Sequence, residues 1–106
     1  MKTERLLNAI EFHNEHPYAQ PLLVNKDVRI LRFMLKPGQG IVEHKAPHSP
    51  FYIVILQGRG MFSGADGIEK EFGVNTLLSF DVAEVHSLRA LNEPLIFLGF
   101  LQGVRS

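Results

Sequence analysis

Three histidines stand where a small barrel would bring strand ends together: His44, His48 and His86. His44 closes a short apolar run that starts at Ile41, His48 lies in a loop flanked by Pro47 and Pro50, and His86 opens a later strand. Neutral imidazole suits zinc, iron, nickel or copper, and three such ligands leave coordination positions open for water or substrate. An open site serves catalysis; a closed four-ligand site would be structural. The alternative reading makes His44 and His86 inward-facing histidines of a polar pocket and His48 a surface loop residue. Glu84, two residues before His86, is either a general base or fourth ligand at the same rim, or a solvated turn carboxylate. His13 and His16 fall in a connecting arm and read as surface histidines.

The elements that must position these residues are strands. Val28–Lys36 places Leu31, Phe33 and Leu35 on the more apolar of its two faces, which is expected to point inward. Pro37-Gly38 is a turn, because proline presets φ and glycine permits φ > 0. Phe51–Gln57 is apolar on both faces, as a central strand would be, and ends at the glycines of Gly58–Gly60. Gly64–Gly67 reads as a hairpin loop between Phe62 and Ile68, and Ile68–Phe72 has one wet face. Thr76–Phe80, His86–Leu91 and Leu95–Leu101 complete a set of about eight strands, with His86, Leu88 and Ala90 on the inward face. Phe33, Phe51, Tyr52 and Phe80 are candidates to line an apolar pocket. Short strands at close spacing predict an all-β sandwich or barrel. Before it, residues 1–24 read as an N-terminal arm, with Met1–Phe12 a short helix or irregular segment; residues 25–106 form the barrel domain.

Composition excludes several functions. Lysine plus arginine balances aspartate plus glutamate at eleven each, and the basic residues are scattered, which gives no support for nucleic acid or an anionic membrane. With no cysteine, disulfide and thiolate chemistry are absent, and any metal is held by nitrogen and oxygen. The start, MKTERLLNAIEF, lacks the apolar core of a signal peptide, and no apolar run is long enough to span a bilayer as a helix. A cytoplasmic protein is expected. The apolar faces of Leu95–Leu101 suggest burial against a second copy, hence a homodimer.

Pro37-Gly38, His44, the run FYIVIL and Gly58 resemble the first motif of the cupin superfamily, and Thr76–Ala90, TLLSFDVAEVHSLRA, resembles its second, with His86 as the histidine. The resemblance covers about Val28–Leu101 and implies a double-stranded β-helix, or jelly roll. It also implies a metal site of His44, His48 and His86, taking zinc, iron, nickel or manganese. The chain departs from the pattern at two ligand positions. The motif glutamate falls on Phe51 and the partner histidine on Ala46, with His48 as substitute. Two functions follow as expectations. One is a metal-dependent oxygenase or isomerase acting on a small polar organic molecule; the other is a non-catalytic small-molecule binding or sensor module without metal.

Overall fold

The computed structural model describes residues 1–104 apart from Pro47, and the side chains of Glu43 and His44 lie outside that description. Nine strands run in chain order: β1 Tyr18–Val24, β2 Val28–Leu35, β3 Gly40–His44, β4 Phe51–Gln57, β5 Gly60–Ser63, β6 Lys70–Phe72, β7 Leu77–Phe80, β8 His86–Ala90 and β9 Leu95–Gln102. They form a five-stranded sheet, β1-β2-β9-β4-β7, and a four-stranded sheet, β3-β8-β5-β6. Every ladder is antiparallel. Only the β1–β2 and β5–β6 hairpins stay within one sheet; at every other step the chain crosses to the opposite one, which winds the strands as a jelly roll.

Period-2 alternation explains which residues meet in the middle. Phe51, Ile53 and Ile55 of β4, Phe62 of β5, Phe80 of β7, Leu88 and Ala90 of β8, and Leu95 and Phe97 of β9 are buried together between the sheets. The inward placement of Phe33 and Leu35 and of the His86–Leu88–Ala90 face is as the alternation implied. Tyr52 is not part of this interior. It points outward and is exposed, because it alternates with Phe51 and Ile53.

β1 lies within the stretch read from sequence as the arm. It is an edge strand paired with β2, and its register shifts between Pro21 and Leu23, where proline cannot donate to a ladder. No helix forms in the first residues. Residues 1–17 instead run across the outer face of β2, where Arg32 is only 3% exposed. Its guanidinium donates to the carbonyl oxygens of Leu6 (3.0 Å), Asn8 (2.9 Å) and Ala9 (3.3 Å) and to Gln20 Oε1 (2.5 Å). A buried cation is thus met by neutral acceptors, which removes much of its desolvation cost.

Candidate functional site

At the end of the barrel where β3 stops and β4 and β8 begin, His86 is buried, 2% exposed. Phe51 and Phe80 are cross-strand partners in the β4–β7 ladder, so their rings leave the sheet on the same inner face. His86 stacks against both, 5.1 Å from Phe51 and 4.6 Å from Phe80 between ring centroids. Phe33 adds an edge contact to Phe51 at 6.1 Å. This crowd of rings depends on Gly99: a Cβ there would lie 2.7 Å from ring atoms of both Phe33 and Phe51. His86 Nδ1 donates to the Glu84 carbonyl oxygen at 3.1 Å. That bond requires a proton on Nδ1.

The loops around this end are fastened to one another. The Ala83 N–H donates to the Ala46 carbonyl oxygen at 3.0 Å, joining the histidine loop to the turn that precedes β8. Ala83 adopts φ 63°, an uncommon conformation for a residue with a Cβ. Buried Ser49 accepts the Gln102 N–H at 2.7 Å and holds the histidine loop against β9. Glu84 is the turn carboxylate of the two readings. Its Oε1 accepts from the Asp81 N–H (2.8 Å) and its Oε2 from the Ala65 N–H (2.9 Å). These two bonds, Asp81 first, hold its carboxyl below the ordinary value. A Cβ on Gly64 would come within 2.5 Å of Glu84 Oε2, so a side chain there would push the carboxylate off its bond to the Ala65 N–H.

The three histidines have different positions. The β3–β8 register makes His44 the cross-strand partner of His86, while the side chain of His44 falls outside the described residues. His48 is exposed in its turn. Phe51, standing at the position of the motif glutamate, offers a phenyl ring and no donor. Among the described residues no group of three histidine, cysteine, aspartate or glutamate side chains is placed to hold a metal ion.

A cleft of about 410 Å³ opens beside this cluster, on the seam between the two sheets. β6 and β7 are the outermost strands of their sheets, and the cleft lies between them and the turn carrying Glu84. Its apolar walls are Phe62, Phe72, Leu78 and Phe80, and its charged groups include Lys70 and Asp66. Phe80 thus borders His86 and the cleft at once. Sequence reasoning overlooked Lys70. The signal was present: Lys70 shares a strand face with Ile68 and Phe72, an ammonium between two apolar residues.

No family model matches the chain, and no curated protein is detectably similar to it in sequence. Solved structures are similar to it in fold. A protein with a double-stranded β-helix domain from Klebsiella pneumoniae superposes with a TM-score of 0.88 at 19% identity, covering 96% of this chain and 90% of the other. An RmlC-like cupin protein from Desulfovibrio desulfuricans gives 0.86 at 23% identity, covering 96% of each chain. A cupin superfamily protein from Desulfitobacterium hafniense gives 0.78 at 19% identity, covering 98% of this chain and 95% of the other. With the strand order and the winding between sheets, these likenesses establish that the chain has the cupin fold.

Proposed function

We propose that this chain is a small-molecule-binding cupin whose ligand enters the seam cleft beside His86. The observation that carries the reading is the Phe51–His86–Phe80 stack next to a cleft of ligand size. Phe51 stands where the family resemblance would place a ligand carboxylate. The stack is buried and backs the cleft through Phe80, so the wall offered to a ligand there is aromatic. A binding or sensing role without turnover is the simplest function for such a site.

A second reading keeps the metal. It rests on the pairing of His44 with His86 and on the His86 Nδ1–H donated to a backbone carbonyl, the contact that orients metal-ligating histidines. Zinc, iron, nickel or manganese held by His44, His48 and His86 would then supply Lewis-acid or dioxygen chemistry for an isomerase or oxygenase. A homodimer is proposed under either reading.

Metal analysis of untagged protein separates the two. The ligand reading expects no stoichiometric metal and unchanged content in His44→Ala, His48→Ala and His86→Ala. One metal per chain, lost in His44→Ala and His86→Ala, would overturn it and establish the metal centre.

A further inference from the structure

Lys70 and Phe62 are directly opposed in the β5–β6 ladder. Opposed residues of an antiparallel pair share a face of the sheet. Phe62 belongs to the buried core, so Lys70 leaves β6 on the inner side as well and lines the cleft. An inward ammonium on an edge strand ordinarily meets a carboxylate or guards the edge against pairing with another chain. The carboxylates nearby are otherwise engaged. Glu84 is taken up by two backbone N–H groups, and Asp66 Oδ1 accepts from the Ile68 N–H at 2.9 Å. The Lys70 ammonium forms no hydrogen bond or ion pair among the described residues. The cleft is therefore polarised, with a cation on its β6 wall, anchored carboxylates at its loop end and phenyl rings between.

Resting on the small-molecule reading above, we infer that the cleft takes a monocarboxylate with an aromatic or branched apolar body. The carboxylate is directed to Lys70 Nζ and the body lies against Phe62, Phe72 and Phe80. An ammonium-bearing analogue is repelled in that orientation, and the carboxylates at the loop end, already bonded to backbone N–H groups, compensate it less than Lys70 favours the carboxylate. A neutral amide keeps the apolar contacts and loses the charge-assisted bond.

The test uses three probes of matched shape, 3-phenylpropionate, 3-phenylpropanamide and 3-phenylpropylammonium, titrated into the ¹⁵N-labelled full chain. Expected are amide shifts at Gly64–Asp66, Lys70–Phe72 and Leu78–Phe80, with the carboxylate tightest. Lys70→Gln should weaken the carboxylate by about tenfold and leave the amide unchanged, while Lys70→Arg retains it. Lys70 is exposed, so these variants preserve the core. Equal affinities for the three probes, all mapping to the cleft, overturn the carboxylate assignment and leave the binding site standing. So does an affinity indifferent to Lys70→Gln, which reduces that residue to an edge guard. Absence of cleft shifts with any probe overturns both the assignment and the proposed site.

Discussion

At the residue scale, Glu84 shows how a rim carboxylate can be structural. Its two oxygens close the turn before β8 onto the β5–β6 hairpin, and the bonds that do so are stronger to the carboxylate than to the neutral acid. Because the folded carboxyl titrates below the ordinary value of 4.5, the stability it contributes is complete above that value. It is lost as pH falls through the depressed folded value. Glu84→Gln should therefore lower the denaturant midpoint at neutral pH, and the gap from the parent should shrink to nothing in acid. A gap that stays constant across the pH series would show that the charge is immaterial. His86 itself was legible in sequence, since its alternation with Leu88 and Ala90 pointed it inward. Its stacking partners were not, because Phe80 reaches it through the β4–β7 pairing, which no local pattern encodes.

At the scale of elements, β8 could be read from its alternation and β4 and β9 from runs apolar on both faces, and all three lie where those patterns placed them. β1 was hidden by Pro21, which sequence reasoning treats as a strand breaker and an edge strand tolerates at a bulge. Arg32 was hidden for another reason. Its face of β2 looks wet in sequence and becomes buried only because the arm lies over it. Replacing Arg32 by alanine strips the arm of several bonds and should cost about 2–3 kcal/mol in chemical denaturation. The amides of residues 6–12 should lose hydrogen-exchange protection in the same variant. Full retention of that protection would show that the arm is held by packing alone.

At the scale of the whole molecule, the five-stranded sheet carries apolar residues on both faces. Its outer side presents Tyr52 and Leu77, both exposed, with Phe100 and Val54 beside them in the register. The proposed homodimer would use this face, so light scattering at micromolar concentration should give twice the chain mass. Leu77→Glu should return the protein to a monomer; an unchanged mass in that variant would place the interface elsewhere. The arm carries a different consequence. Its described attachments to the barrel run through uncharged acceptors: Arg32 to backbone oxygens, Lys2 to the Leu22 carbonyl, Gln39 to the His13 carbonyl and Lys36 to the Asn14 amide. Its cationic donors keep their charge in mild acid, no carboxylate of that seal has to ionise, and no described ion pair joins arm to barrel for Debye screening to weaken. Brine and mild acid should leave the arm in place, whereas urea, which solvates peptide groups, should peel it away before the barrel opens.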